Sequence, residues 1–180
     1  MIVSDQRQES MHPIADGILA GLGAGSIFIV AELIMSVALD KPVLDPLRII
    51  STMLLGRQAL DPSYSFANAI VVGLILNILL SGLFGLIFAF ILLASNAPTA
   101  NGWGIALGFF YGTALWLVNF CVIAPEVFPQ FSQLNQFWNG FVAHSVFYGA
   151  VLGLFMALSH SRTVEMEEPQ MIRHSAAAHH

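Results

Sequence analysis

Charge is scarce in this sequence: only 9% of its 180 residues are Asp, Glu, Lys or Arg, against roughly 25% in an ordinary soluble domain. Hydrophobic residues make up 57% of the chain, and a soluble domain of this size could not bury so many of them in its core. Six lysines and arginines, with a formal net charge of −5, cannot neutralise a run of phosphates, which excludes a nucleic-acid partner. The composition predicts an integral membrane protein whose apolar surface faces lipid.

Cysteine is also scarce. Cys121 is the single cysteine, which excludes an internal disulfide and a cysteine-rich metal site. The sequence has neither a serine nucleophile elbow nor an H-E-x-x-H zinc motif, and we expect a protein that is not an enzyme. Residues 163–180 are predicted to form a polar tail, and its last five residues are typical of a linker and the start of a purification tag.

Long apolar runs, in contrast, are frequent. A membrane helix needs about 20 consecutive apolar residues, and the four stretches of that length are 17–39, 69–93, 103–124 and 138–159. The first is too long for the core of a signal peptide and follows an acidic leader, so we expect it to remain in the mature protein. The fold class predicted is all-α: a polytopic membrane protein with four transmembrane helices in one domain, residues 1–162.

The connection 40–68 contains a further apolar segment, 46–56, which is too short to span a membrane. Pro46 suits the first turn of a helix and Gly56 its end. The segment is predicted to be a short interfacial helix, with a re-entrant segment as the alternative. Arg48 and Arg57, near its two ends, are predicted to contact lipid headgroups.

Basic residues give a weak indication of orientation. Three arginines lie on the side that carries both termini, and three basic residues lie in the connection 40–68. Because Arg162 follows the fourth span directly and the connection 125–137 has no positive charge, the positive-inside rule favours cytoplasmic termini.

The two halves of the chain share a pattern that indicates an internal repeat of a helical hairpin. Each half has a triple glycine motif in its first span, a polar residue seven positions beyond it, and a polar pair four residues apart in its second span. The corresponding residues are Gly17, Gly21, Gly25, Glu32, Asn77 and Ser81 in the first half and Gly104, Gly108, Gly112, Asn119, His144 and Tyr148 in the second. Two hairpins of this kind share one membrane orientation.

The glycines have a plain structural interpretation. Lipid tails give no hydrophobic drive for helix association, so membrane helices pair where small residues let their backbones approach. All six glycines are therefore predicted to pack helices together. We also expect their faces to join copies of the chain in a homo-oligomer, or in a larger membrane complex.

Polar residues inside the spans are the most informative for function. Glu32, Asn77, Asn119 and His144 fall at similar depth, about 8–12 Å from the face that carries the longer connections at 1.5 Å per residue, with Ser81 and Tyr148 one turn deeper. An ionisable side chain in a span costs at least ~2.5 kcal/mol on the insertion scale, so Glu32 is expected to face the bundle. We predict that it is protonated or bonded to His144, Asn77 or Asn119.

Three interpretations of this polar layer remain open. One is a site that binds or passes a proton, an ion or a small polar solute. A second is polar glue in a structural subunit of a larger membrane complex. A third is a redox protein associated with haem or quinone, using His144 with Tyr148 and Trp116. No cofactor or metal is the main prediction, because one histidine and one carboxylate are too few for zinc; haem b at His144 would need a second histidine, which a second copy could supply.

The same residues carry a resemblance to a known group. The matching segments are Gly-x-x-x-Gly…Glu32, Leu80-Ser81-x-x-Phe84, Trp116-x-x-Asn119-Phe120…Pro125…Pro129 and Phe141-Val142-Ala143-His144-x-x-x-Tyr148-Gly149. This order resembles small uncharacterised bacterial inner-membrane proteins and, more distantly, the YagU-like group. The resemblance implies a multi-pass protein of the inner membrane and, loosely, a link to acid tolerance. Where such proteins favour histidine in the second span, this chain has Asn77.

Overall fold

The computed structural model of the chain describes residues 12–97, 102–129, 131 and 137–159, and these residues contain helices and no strand. Four helices are long and apolar enough to cross a membrane. They are α1 (His12–Ala38), α3 (Phe66–Ser95), α4 (Trp103–Val127) and α5 (Phe137–Ser159). A shorter helix, α2 (Asp45–Leu55), lies between the first two. The chain is therefore an all-helical protein of the integral membrane class, as its composition predicts.

The observed helices agree with the predicted spans in number and order but differ in length. Helix α1 begins at His12, five residues before the predicted start, and α3 begins at Phe66. Ser65 precedes α3 as an N-cap and accepts a hydrogen bond from the backbone N–H of Asn68 at 3.4 Å. Pro13, Asp16 and Asn68 interrupt the apolar runs near these two starts, so a count of consecutive apolar residues begins later than the helix does. The tail from residue 160 lies outside the described residues.

Helix α2 occupies the segment predicted to be a short helix and packs against α3. Pro46 lies in its first turn, and Gly56 follows its last residue with a φ of 74°, a conformation that favours glycine. A side chain at Gly73 of α3 would collide with the backbone carbonyl of Leu47. The two helices are therefore in backbone contact, and one face of α2 belongs to the bundle.

Arg48 contacts other residues of the connection between α1 and α3, and the first residue of α3. Its Nε and Nη2 atoms donate to the backbone carbonyl of Ala59 at 3.3 and 3.1 Å. Its guanidinium also lies 4.0 Å from the Asp45 carboxylate and 5.8 Å from the centre of the Phe66 ring. The structure thus gives Arg48 partners within the chain, while the headgroup contacts of Arg48 and Arg57 stay predictions.

The glycine motifs hold the spans together in pairs. A side chain at Gly21 of α1 would collide with the backbone of Ser81 and Gly85 in α3, and one at Gly17 would meet Ala89 and Gly85. In the second pair, a side chain at Gly108 of α4 would collide with the backbone of Gly149 and Gly153 in α5. Gly25 and Gly112 continue these two contacts, and Gly104 begins the second, where a side chain on Gly153 would meet its carbonyl. Each pair therefore packs backbone against backbone.

Because these glycine faces are buried inside the chain, they are not free to join separate copies. The predicted route to an oligomer through them is wrong for this arrangement. An oligomer would have to use another surface and stays a prediction, as does the duplication of the hairpin.

We expect Gly108→Val to lower the free energy of unfolding by about 1–3 kcal/mol, the usual cost of overpacking. The added methyl groups would meet the backbone of α5, which cannot move aside as a flexible side chain does. Ala114→Val is the matched control, because Ala114 lies on the exposed face of the same helix. Unfolding of both variants in detergent, followed by circular dichroism, measures the difference. Equal midpoints would contradict the packing assignment.

The four spans form an incomplete ring. Close backbone packing runs in the order α3, α1, α5 and α4, while α3 and α4 hardly approach each other along their backbones in the described residues. Tyr111 of α4 bridges that gap: its hydroxyl donates to the carbonyl of Phe84 at 2.8 Å, and its ring lies 4.9 Å from that of Phe88. Tyr148 of α5 likewise donates to the carbonyl of Ser81 at 2.8 Å. Two tyrosines thus tie the halves together across the bundle.

Candidate functional site

One cavity of about 170 Å³ lies among the four spans and α2. All six polar residues predicted to form the site line it: Glu32, Asn77, Ser81, Asn119, His144 and Tyr148. They come from α1, α3, α4 and α5, so every span contributes at least one. The cavity is located toward the end of the bundle that carries α2, because Pro46, Ile49 and Met53 form part of its wall. The structure thus brings the predicted layer together around a shared space.

Two members of this layer hold helices together. The amide nitrogen of Asn77 donates to the backbone carbonyl of Gly25 in α1 at 3.3 Å, and Asn77 is buried. The Tyr148 hydroxyl donates to the carbonyl of Ser81. Both bonds connect different spans, as expected of polar glue in a membrane bundle. The carbonyl oxygen of the Asn77 amide has no partner among the described residues and remains an acceptor.

His144 is bonded locally, within its own helix. Its Nδ1 lies 2.8 Å from the carbonyl oxygen of Gly140, and a carbonyl accepts only, so Nδ1 carries the hydrogen. In the neutral ring, Nε2 is then an acceptor. The ring also makes edge contacts with Phe28, at 5.1 Å between centroids, and with Phe120 at 5.8 Å. These contacts hold the imidazole in the cavity wall, with one nitrogen left for a ligand.

Glu32 and Asn119 have no hydrogen-bond partner in the part of the chain that the structure describes. The predicted bond from Glu32 to His144, Asn77 or Asn119 is therefore not observed, although all four line the same space. Buried polar groups in proteins are nearly always bonded, and no fully buried side-chain nitrogen or oxygen among the described residues lacks a partner. The free groups of Glu32 and Asn119 thus face the cavity, where a ligand or water would complete them.

A second, much smaller pocket adjoins Glu32. Its volume is about 10 Å³, close to the space that one water molecule needs. Its polar lining residues are Glu32, Ser36, Lys41 and Asn139. Glu32 therefore lies between the main cavity and a polar pocket that contains a basic residue of the connection after α1.

Two π-helical segments shape the cavity wall. Val118–Ile123 of α4 carries Asn119 and Phe120, and Ala143–Ala150 of α5 carries His144 and Tyr148. Neither α1 nor α3 has such a segment. A π-segment adds a residue to the helix. In the predicted repeat this would account for an offset: Asn77 matches His144 at a spacing of 67, whereas Gly85 matches Gly153 at a spacing of 68. Segments of this kind are often found at functional sites.

Sequence reasoning missed most of the wall. The cavity is lined by aromatic residues from all four spans and the last connection, namely Phe28, Phe84, Phe120, Phe128, Phe131 and Tyr148. It is also lined by Pro46, Ile49, Ile50 and Met53 of α2. Phenylalanine is common in any membrane helix, so only its spacing relative to Glu32, such as Phe28 one turn away, could have indicated a shared face.

The described residues contain no group of three or more His, Cys, Asp or Glu side chains that could hold a metal ion. A haem is a poor match to the cavity, since an apolar cavity of about 150 Å³ holds a single benzene ring. Comparison with protein-family models, with curated proteins and with solved structures finds no significant match to this chain. The resemblance to the YagU-like group therefore remains a prediction, and function has to be argued from the cavity.

Proposed function

We propose that this chain is a membrane protein that binds a small polar solute in the cavity between its spans. The observation that carries the proposal is the unpaired state of Glu32 and Asn119, whose polar groups face the same cavity as His144. Lining by four separate spans also fits the usual architecture of ligand sites between bundle helices. Glu32 and His144 are proposed to hold the solute, and Asn119 to orient it.

Polar glue accounts for a different part of the layer. The bonds made by Asn77 and Tyr148 connect spans and need no ligand. Glue would require Glu32 and Asn119 to bond across helices as well, because an unpaired carboxyl is costly in lipid. A site for a solute gives these two residues a partner, whereas a purely structural subunit would need another chain to supply one.

Binding is favoured over free passage. The part of the bundle beyond Tyr148 is filled by a core that includes Phe88, Leu152 and Met156, whose exposed fractions are 1%, 0% and 9%. An open channel would require this core to separate. The small pocket beside Lys41 instead supports exchange of a proton at Glu32 with the same face of the protein.

The setting of the protein is proposed from its charges and repeats. We place it in the bacterial inner membrane with both termini cytoplasmic, as a duplicated hairpin, alone or as a homo-oligomer. With four spans the cavity then opens toward the side opposite the termini, because it lies at the end that carries α2.

The test asks whether a small polar molecule reaches the cavity. In a Cys121→Ala background, Ser81→Cys places a thiol in the cavity wall, and Ser26→Cys places one on the exposed face of α1. We expect 2-hydroxyethyl methanethiosulfonate to label position 81 at least about tenfold faster, because only a hydrated thiol ionises readily. Mass spectrometry of protein in liposomes measures both rates. Equal rates at the two positions would reject the proposal.

A further inference from the structure

The charge of the cavity restricts its ligand. Of the described residues that line it, Glu32 is the one acidic side chain, and none is lysine or arginine. Lys41 lies in the adjoining small pocket, and Arg48 is engaged by Ala59 and Asp45. An anionic ligand would meet the Glu32 carboxylate with no lysine or arginine in the lining of the cavity, so the cavity is suited to a cation or a neutral molecule.

The unpaired polar atoms are mainly acceptors. The carboxylate of Glu32 accepts only, and so does the free carbonyl oxygen of the Asn77 amide. His144 presents Nε2 as an acceptor, because its Nδ1–H is donated to Gly140. Asn119 and the Ser81 hydroxyl offer both kinds of group. A matching ligand therefore carries hydrogen-bond donors, as an ammonium group does.

Aromatic rings surround these acceptors. Six of the lining residues are phenylalanine or tyrosine, and an organic cation is attracted to such rings, most strongly where water is excluded. A metal ion would gain little from them, and Ca²⁺ takes about six to eight oxygen ligands, more than the Glu32 carboxylate and the amide oxygens of Asn77 and Asn119 provide. An apolar wall with a single carboxylate instead suits a cation that bears its own apolar groups.

We infer that the solute is a small organic cation, a protonated amine with a body about the size of one aromatic ring. The inference rests on the proposed function and names its ligand class. Glu32 supplies the countercharge, the aromatic residues contact the apolar body, and the volume of about 170 Å³ limits the size.

Three single-ring compounds of similar size test the charge: benzylammonium, benzyl alcohol and benzoate. Equilibrium dialysis against the protein in nanodiscs, with empty nanodiscs as the blank for partition into lipid, measures their affinities. We expect benzylammonium to bind more tightly than benzyl alcohol, and benzoate to show no binding. Glu32→Gln should weaken benzylammonium about tenfold or more, as for loss of a charge-assisted hydrogen bond, and should leave benzyl alcohol unchanged. Glu126→Gln is the matched control, because Glu126 is exposed and outside the cavity.

The outcomes separate this inference from the proposed function. If benzyl alcohol binds as tightly as benzylammonium, or if Glu32→Gln affects both equally, the cation inference fails while a solute site remains. If none of the three compounds binds and Ser81→Cys is labelled no faster than Ser26→Cys, the proposed function fails as well. If Glu32→Gln does not fold, a second measurement replaces that variant. It compares the rates at which Ser81→Cys is labelled by a methanethiosulfonate that carries a trimethylammonium group and by one that carries a sulfonate group. A faster cationic reagent supports the inference, and a faster anionic one overturns it.

Discussion

Ala124→Phe is expected to abolish binding of benzylammonium, with a loss of more than about tenfold, while every polar residue of the cavity is retained. Ala124 is 5% exposed, lines the cavity and follows the π-helical segment of α4. A phenyl ring at this position would occupy much of a space that is about one ring in size. The variant therefore separates the volume of the cavity from its chemistry.

The control for Ala124→Phe is Ala114→Phe, the same change on the exposed face of the same helix. That variant should bind benzylammonium like the unmodified protein. A second filling variant, Leu80→Phe, changes the wall from α3 and should show the same loss. Circular dichroism shows whether each variant is folded. Folded filling variants that keep full affinity would place the ligand elsewhere on the protein.

The helices and the polar layer are predictable from the sequence for one physical reason. In lipid, backbone polar groups have to be bonded internally, so long apolar runs become helices. Ionisable side chains within such runs turn toward the bundle, and Glu32 and His144 do face one cavity. The glycine motifs are predictable as well, because their spacing lets two helix backbones approach each other without a collision.

The chemistry of the site was less predictable, because it depends on local bonds and bulges. His144 donates its Nδ1–H to the carbonyl of Gly140 in its own helix and not to Glu32. The π-segments add a residue that hydropathy does not register, yet they carry Asn119 and His144. The packing of α2 against Gly73 depends on a long-range contact and brings an apolar wall to the site. None of these features changes the periodicity on which sequence reasoning relies.

Acidification is expected to weaken the binding of a quaternary ammonium probe, benzyltrimethylammonium, whose own charge does not depend on pH. Titratable groups at the cavity are Glu32 of α1, His144 and Tyr148 of α5, and Lys41 in the adjoining pocket. Protonation of Glu32 removes the attracting charge, and protonation of His144 adds a repelling one. Both changes act against the cation, so affinity should fall steadily as pH falls.

The variants assign this pH dependence to its two groups. Glu32→Gln should bind the probe weakly at every pH and lose most of the pH dependence. His144→Gln should keep the part of the pH dependence that is due to Glu32. Glu126→Gln should give the same curve as the unmodified protein. Dialysis in nanodiscs across the pH series measures all four curves. An unaltered curve in Glu32→Gln would show that the proton and the cation do not share this carboxyl. If they do share it, binding of one releases the other, and the cavity would exchange an organic cation for a proton at one membrane face.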